Sequence, residues 1–283
     1  MNISNKVTVI ICVRNAEKTI GHTLETILKN KPKDIIIVDG NSSDNTLKIC
    51  KEYKVRIFQD KGIGLGNARN IGLRSVNTEY VYYVGPDCIL KENSITPLIN
   101  NLEKNKWVGT QPLVSIYNPS NYFLKCINLY RKAKFYPGKR KIIGTPWLYK
   151  TSILKQYMFN EDMNYSDDTE LCSRLEKDRL SIGITNVISY EIGESNILEI
   201  FNRWKMYGAS DHDFYNLNKL SWGFKRKIIS FLSPLNKDFI LIIKSNKINF
   251  LEKIYILYFL IMILIFRYYG WYLAWSNKKK DDK

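Results

Sequence analysis

The chain has few of the residues that build metal centres or disulfide frameworks. It has only two histidines, and its five cysteines stand far apart with no Cys-x-x-Cys pair among them. A disulfide framework needs paired cysteines, and a zinc site needs cysteine and histidine ligands in clusters. The sequence therefore excludes both kinds of site, and we expect a reduced protein of the cytosol.

The sequence also lacks internal repeats, low-complexity stretches and a visible targeting segment. The first predicted strand begins at residue 7, which leaves no room for a charged segment and a cleavage site before it. We therefore expect no signal peptide. With 283 residues and 45% apolar content, the chain can bury a full hydrophobic core.

Acidic residues are outnumbered in this chain. There are 43 lysines and arginines against 27 acidic residues, which gives a formal net charge of +16. Such an excess favours an anionic partner, which can be a nucleotide phosphate, an acidic membrane surface or a nucleic acid. Nucleic-acid binding has no motif of its own in this sequence, and we expect no nucleic-acid partner.

The first 110 residues alternate between apolar strands and helices. Strands are predicted at 7–13, 35–38, 55–58 and 80–84, and helices at 16–29, 43–53 and 66–75. This alternation predicts a doubly wound α/β sheet. Asp39 and Asp87 follow two of these strands, and open α/β sheets bind ligands at the carboxyl ends of their strands. The glycines at 62, 64 and 66 do not have the spacing of a dinucleotide-binding loop.

The C-terminal part has a different composition, with basic residues and long apolar runs from residue 219 onward. Residues 254–266 are 13 consecutive apolar residues, and apolar, tyrosine- and tryptophan-rich sequence continues to residue 275. A bilayer span needs about 20 residues, so a spanning helix, an in-plane helix and a buried helix are all compatible with this length. The aromatic residues favour membrane contact, and we predict that 216–283 is a basic, hydrophobic, membrane-associating region.

Several segments in one order resemble the motifs of family 2 glycosyltransferases, which have the GT-A fold. The resembling segments are 9–17, 36–46, 68–70, 144–150 and 167–174, and the likeness extends over about 7–211. The resemblance implies an α/β, GT-A catalytic domain with a Rossmann-like, mostly parallel sheet over residues 1–215, followed by C-terminal hydrophobic helices. It places the donor half at about 1–110 and the acceptor half at about 111–215.

The resemblance implies that five residues bind the donor, namely Arg14, Glu17, Asp39, Arg69 and Asp87. Asp39 is an acceptor-only carboxylate, so it suits the N–H of a uracil-like base or a ribose hydroxyl. Arg69 has a guanidinium fork that can pair with a diphosphate or orient a carboxylate. The alternatives are a solvated turn for Arg14 and Glu17 and a surface arginine for Arg69.

The predicted metal site departs from the family pattern. The family has an Asp-x-Asp motif where this chain has Gly85 and Asp87, so one acid is missing. Mg²⁺ often takes only one or two protein carboxylates together with substrate phosphates, and we predict Asp87 as the ligand of a divalent ion, Mn²⁺ or Mg²⁺. Glu191 is a second candidate ligand, with a solvated strand-end acid as the alternative.

The resemblance assigns catalysis to Asp168, with Asp167 and Trp147 on the acceptor side. Inverting transfer needs a carboxylate that takes the proton of the acceptor hydroxyl as its oxygen attacks the anomeric carbon. The alternative for the two acids is an ordinary acidic first turn of a helix.

These assignments predict an inverting glycosyltransferase at the cytoplasmic face of the cell membrane. It would move a sugar from a nucleoside-diphosphate sugar, UDP favoured over GDP, to a hydroxyl or phosphate of a membrane-linked lipid or glycan. The alternative is a catalytically impaired, nucleotide-sugar-binding membrane scaffold in which Gly85 marks lost catalysis.

Overall fold

The computed structural model describes residues 3–161, 163, 166–193 and 196–281. Its strands are Val7–Val13 (β1), Asp34–Asp39 (β2), Arg56–Gln59 (β3), Tyr80–Tyr83 (β4), Cys88–Leu90 (β5), Gly109–Ile116 (β6), Gly138–Arg140 (β7), Trp147–Lys150 (β8) and Ile182–Glu191 (β9). Its α-helices are Ile20–Lys29 (α1), Thr46–Cys50 (α2), Leu65–Arg74 (α3), Ile95–Lys104 (α4), Tyr122–Lys134 (α5), Thr151–Tyr157 (α6), Asp167–Lys177 (α7), Ile197–Asn218 (α8), Phe224–Lys244 (α9) and Phe250–Asp281 (α10).

The described strands join in one sheet of order β3-β2-β1-β4-β8-β6-β9-β5, with β7 paired to β9. β1 pairs in parallel with β2 and β4, and β2 pairs in parallel with β3. β8 is antiparallel to both of its neighbours, and β9 is parallel to β6 but antiparallel to β5 and β7. The predicted α/β sheet is confirmed, but it is parallel only in its first four strands and mixed beyond them, where β8 runs antiparallel to both β4 and β6.

Helices cover both faces of β1, which explains why this strand is apolar at every position but one. Val9 and Ile11 belong to the same buried cluster as Leu24 of α1. Ile10 faces the opposite side, where α3 approaches so closely that a Cβ on Gly72 would lie 2.8 Å from Ile10 Cγ2. Strands that are buried on both faces read as continuous apolar runs, as this one does.

The chain folds into two compact units. The first contains residues 1–117 and 136–192, and the second contains 118–135 and 193–283. The predicted boundary after residue 215 does not coincide with this division, because α5 packs with the C-terminal helices. As a division of function, the predicted boundary stays a prediction.

The second unit is built on helices α5, α8, α9 and α10. Its core contains the buried side chains of Cys126, Ile200, Ile256 and Phe259. In the part of the chain that the structure describes, none of the helices combines the length and the apolar character needed to cross a membrane.

Helices α8 and α10 cross backbone against backbone within this unit. A Cβ on Gly208 would lie 1.7 Å from the carbonyl oxygen of Arg267, and a Cβ on Gly270 would lie 1.9 Å from that of Lys205. Beside the crossing, the Arg267 guanidinium donates to both carboxylate oxygens of Asp211 at 2.6 and 2.9 Å. Glycine at both positions is therefore what lets the two helices come this close.

Candidate active site

The donor-side residues lie where the first three strands end. The sheet register places Val13, Asp39 and Gln59 side by side, so the turns that follow β1, β2 and β3 meet at one edge. Asp39 is fully buried, and its carboxylate accepts the backbone N–H of Ser42 at 3.1 and 3.3 Å. The carboxylate therefore fixes the start of the loop that leads into α2.

Arg14 and Glu17, both predicted to bind the donor, differ in their surroundings. Arg14 is exposed directly after β1. Glu17 accepts two hydrogen bonds from Asn45, one from its backbone N–H at 3.0 Å and one from its side-chain amide at 2.9 Å. Glu17 therefore holds the β1 and β2 turns together, while Arg14 remains accessible to a ligand.

Asp60 is a candidate site residue that the sequence analysis did not single out. It follows β3, is 4% exposed, and accepts the Gly62 N–H at 2.7 Å. A Cβ on Gly40 would lie 3.5 Å from both Asp60 Oδ1 and Arg14 Cβ, so the glycine leaves space between them. The sequence could have indicated Asp60, because it directly follows β3, just as Asp39 is the last residue of β2.

A second unpredicted residue lies in the first turn of α3. Asn67 is 8% exposed, and its side-chain nitrogen has no hydrogen-bond partner within the described ranges of the chain. A buried amide nitrogen without a partner is uncommon in native proteins. Asn67 is therefore a donor that a bound ligand can satisfy.

The predicted metal ligand Asp87 lies in the turn between β4 and β5. Its Oδ1 occupies the space above Gly85, where a Cβ would come within 2.8 Å of it. Glu191 pairs with Cys88 in the strand register, so both acids flank this turn. Among the described residues no group of three acidic, cysteine or histidine side chains could hold a metal ion. The residues present fit an ion that takes one or two carboxylates and completes its shell with phosphate oxygens.

The acid pair begins helix α7, and its first member is buried. Asp167 is 2% exposed and forms an ion pair with Nη1 of Arg69, which is itself almost fully buried in α3. The other guanidinium nitrogen, Nη2, donates to Thr145 Oγ1 at 3.0 Å. Arg69 was predicted either to pair with a diphosphate or to orient a carboxylate. In the structure its guanidinium contacts a carboxylate, that of Asp167.

Asp168 has one oxygen held and one facing a glycine. Its Oδ1 accepts the Thr169 N–H at 2.6 Å and the Thr169 hydroxyl at 3.2 Å. A Cβ built on Gly144 would lie 3.3 Å from Oδ2, so the glycine leaves that oxygen uncrowded. Desolvation, aided by the charge of Asp167, raises the pKa of Asp168 to about 6, while the charge of Arg69 opposes the rise.

Trp147, predicted on the acceptor side, is instead part of the core. It is 0% exposed and stacks on Phe159 with ring centroids 5.8 Å apart. The Arg69 guanidinium lies over both rings, 4.8 Å from the Trp147 centroid and 5.3 Å from that of Phe159. Because β8 is an inner strand of the sheet, Trp147 is buried and packs against the Arg69 guanidinium. This burial corrects the prediction that Trp147 contacts the acceptor.

Two further contacts tie the acid pair to its surroundings. Gly144 donates its N–H to the buried Gln111 side chain at 2.8 Å, which fixes the loop opposite Asp168. Desolvation raises the pKa of the Cys12 thiol to about 12, and the charges of Arg69, Asp167 and Asp60 all act on it. The acid pair, Arg69 and Asp60 therefore act electrostatically on the same thiol of β1.

A parallel half-sheet with acids at its strand ends, together with an acid pair that begins α7, agrees with a protein of the GT-A class. Residues 8–158 match the family described as Glycosyl transferase family 2, and the chain belongs to that family. One relative is the poly(ribitol-phosphate) beta-N-acetylglucosaminyltransferase TarP of Staphylococcus aureus, which is 36% identical over 110 residues. That match covers 35% of this chain and 34% of TarP, so the chain spans about a third of this relative.

Two solved structures share the fold. The crystal structure of S. aureus TarS 1-349 in complex with UDP-GlcNAc has a TM-score of 0.55 at 15% identity, covering 97% of this chain and 92% of that one. The crystal structure of GalNAc-T7 with UDP, GalNAc and Mn²⁺ also has a TM-score of 0.55 at 15% identity, covering 66% and 43%. At these identities the likeness shows the fold alone, and it confirms the predicted GT-A architecture.

Proposed function

We propose that the chain is an inverting glycosyltransferase that uses a nucleoside-diphosphate sugar and a membrane-linked lipid or glycan acceptor. The observation that carries the proposal is the placement of Asp168, a desolvated carboxylate with one oxygen held by Thr169 and the other facing Gly144. Its pKa of about 6 leaves it mostly ionised at neutral pH and close to the pH at which a general base works well.

In this proposal Asp168 removes the proton of an acceptor hydroxyl while that oxygen attacks the anomeric carbon of the sugar. A carbon–oxygen bond to the acceptor forms as the bond to the nucleoside diphosphate breaks on the opposite face, which inverts the configuration. A phosphate acceptor, already ionised, would attack without this proton transfer. Arg69 and Asp167 hold the start of α7, so that the base keeps its position.

The donor is proposed to be UDP-linked rather than GDP-linked. The carboxylate of Asp39 can only accept hydrogen bonds, which suits the ring N–H of uracil. TarS, which shares the fold, is seen in complex with UDP-GlcNAc. Arg14, Asp60 and Asn67 stand at the same sheet edge or in α3 as further donor contacts.

A divalent ion, Mn²⁺ or Mg²⁺, would be held by Asp87, with Glu191 beside the same turn and donor phosphates completing its shell. When bound, such an ion neutralises the charge of the leaving diphosphate. GalNAc-T7, a fold neighbour, is seen with Mn²⁺.

One observation favours a second candidate, a nucleotide-sugar-binding protein without transfer activity. Gly85 stands where the metal motif has its first acid. The space that the side chain of such an acid would fill is occupied by Asp87 Oδ1. Donor binding without transfer or hydrolysis would be its signature.

The test combines calorimetry with one variant. Titration with UDP and GDP, each with and without Mn²⁺, should show binding that selects UDP and strengthens with the ion. Asp168→Asn should abolish transfer from the UDP-sugar and leave UDP affinity nearly unchanged. Unchanged turnover in this variant would reject Asp168 as the base, and UDP binding without any turnover in the wild-type chain would favour the second candidate.

A further inference from the structure

One face of α10 is exposed along most of the helix and is apolar throughout. The side chains on it, here called the outer stripe, are 43–75% exposed: Leu251, Ile254, Tyr258, Ile261, Ile265, Tyr269, Tyr272 and Trp275. They follow one another at intervals of three or four residues, so they lie on one side of the helix. At 1.5 Å per residue the outer stripe is about 36 Å long.

The opposite face of α10 is the one that builds the second unit. Ile256, Phe259, Leu260 and Ile263 are at most 2% exposed and lie in its core. The unit therefore buries a complete apolar face of α10 without using the outer stripe. A contiguous apolar patch that folding does not need marks an interaction surface.

Basic and apolar side chains are mixed where α9 leads into α10. Lys244 and Lys247 are exposed next to Ile243 and Phe250, whose side chains are 57% and 75% exposed. These four residues are here called the basic corner. The other end of α9 has the same mixture, with Leu220 95% exposed, four residues before Phe224 and five before Lys225.

The charge of the chain is concentrated in the second unit. Its residues, 118–135 and 193–283, include nineteen lysines and arginines against eight acidic residues, which is most of the excess in the whole chain. A second copy of the chain would bring the same positive charge to the outer stripe, and the two would repel each other. An anionic lipid surface offers the complementary charge together with an apolar layer.

We propose that the outer stripe of α10 and the basic corner dock on the surface of an anionic bilayer, with α10 lying in the plane of the interface. One packed face and one exposed apolar face, flanked by lysines, is the arrangement of an interfacial helix. The tyrosines and the tryptophan of the stripe suit the headgroup region, where one end of the side chain is apolar and the other is wet. The proposal does not depend on the transferase activity.

The test is co-sedimentation of the full chain with phosphatidylcholine vesicles, prepared with and without phosphatidylglycerol. Binding should require phosphatidylglycerol and weaken as salt is added, since salt screens the lysines. A stripe variant, Tyr258→Ser with Ile261→Ser and Ile265→Ser, should lose vesicle affinity by about tenfold or more, and a corner variant, Lys244→Gln with Lys247→Gln, should lose a similar factor at low salt.

The matched control removes exposed apolar side chains from the first unit instead. Leu28→Ser with Tyr117→Ser should bind vesicles like the wild type, and circular dichroism melting should show that all variants are folded. Wild-type chain that ignores phosphatidylglycerol vesicles, or a folded stripe variant that binds them undiminished, would overturn the proposal. Sedimentation velocity without lipid tests the alternative, in which a second copy of the chain covers the outer stripe. A wild-type dimer that becomes a monomer in the stripe variant would assign the stripe to a second copy and overturn the proposal.

Discussion

The pKa of Asp168 depends on its desolvation and on the charges of two neighbours, Asp167 and Arg69. Desolvation and the charge of Asp167 raise its pKa to about 6, and Arg69 limits the rise. Asp167 and Arg69 are at the same time each other's partner in a buried ion pair. The two residues that hold the start of α7 therefore also influence the pKa of the Asp168 carboxylate.

This arrangement predicts opposite pH shifts for two variants. In the wild type, kcat should fall as the pH drops through about 6, because the protonated carboxyl cannot accept a proton. Asp167→Asn removes a negative neighbour, which lowers the pKa of Asp168 and moves the fall in kcat to lower pH. Arg69→Leu removes a positive neighbour and moves it to higher pH. The measurement is kcat against pH for the three proteins.

Each of these variants should also be destabilised by about 3–5 kcal/mol in urea unfolding, because each leaves one buried charge without its partner. Arg74→Leu is the matched control, since Arg74 lies in the same helix and forms an ion pair with Glu161 with over half of its side chain exposed. It should cost at most about 1 kcal/mol and leave the pH profile in place. Shifts of Asp167→Asn and Arg69→Leu in the same direction would contradict the charge argument.

At the candidate site, the sequence was most informative about which acidic residues lie near the ends of strands and helices. Asp39, Asp87 and the pair beginning α7 stand at the predicted ends. Side-chain direction was not predictable, because it depends on packing between distant segments. Trp147 is buried in the core and Arg69 pairs with Asp167 because α3, β8 and α7 meet there. The two residues of this ion pair are 98 residues apart along the chain.

At the scale of the elements, local pattern predicted what local sequence determines. Strands β1 to β4 and helices α1 to α3 lie within a few residues of their predicted positions, since apolar runs bounded by turn residues define them. Helix α5 was not predicted, because its apolar face packs in a core built with side chains of α8, α9 and α10, which lie far along the chain.

The crossing of α8 and α10 predicts a steep cost for any side chain at its centre. Gly208→Val should destabilise the second unit by at least about 3 kcal/mol, because the new Cβ would overlap the backbone of α10 rather than a movable side chain. Gly223→Ser is the control, since a Cβ there meets nothing within 4 Å and serine suits the N-cap of α9. Thermal melting by circular dichroism of both variants would measure the difference, and equal melting temperatures would reject the close crossing.

At the scale of the whole molecule, the chain divides into two compact units, and the two proposals concern different units. The acids at the strand ends and the acid pair of α7 all belong to the first unit, whereas the outer stripe and most of the net positive charge belong to the second. Net charge, read from the sequence, could not show this distribution in space, because residues 118–135 join the second unit from the middle of the chain.

Hydrogen exchange should report the two units separately. UDP should slow amide exchange in the turns after β1, β2 and β3, at residues 13–17, 39–46 and 60–64, because a ligand stabilises the segments it contacts. The exchange of α10 should stay unchanged by UDP and slow with phosphatidylglycerol vesicles. Protection of α10 by UDP alone, measured by mass spectrometry of peptic fragments, would contradict this separation.

The reciprocal contact of Gly208 and Gly270 restricts how this chain can diverge. Each glycine faces the backbone of the opposite helix, so shrinking one side cannot make room for a side chain on the other. Glycine is already the smallest residue at both positions. A larger residue at one position therefore cannot be compensated by a smaller residue at the other. Descendants of this sequence that retain the α8–α10 crossing should therefore keep both glycines, and those that lose one should show the two helices further apart.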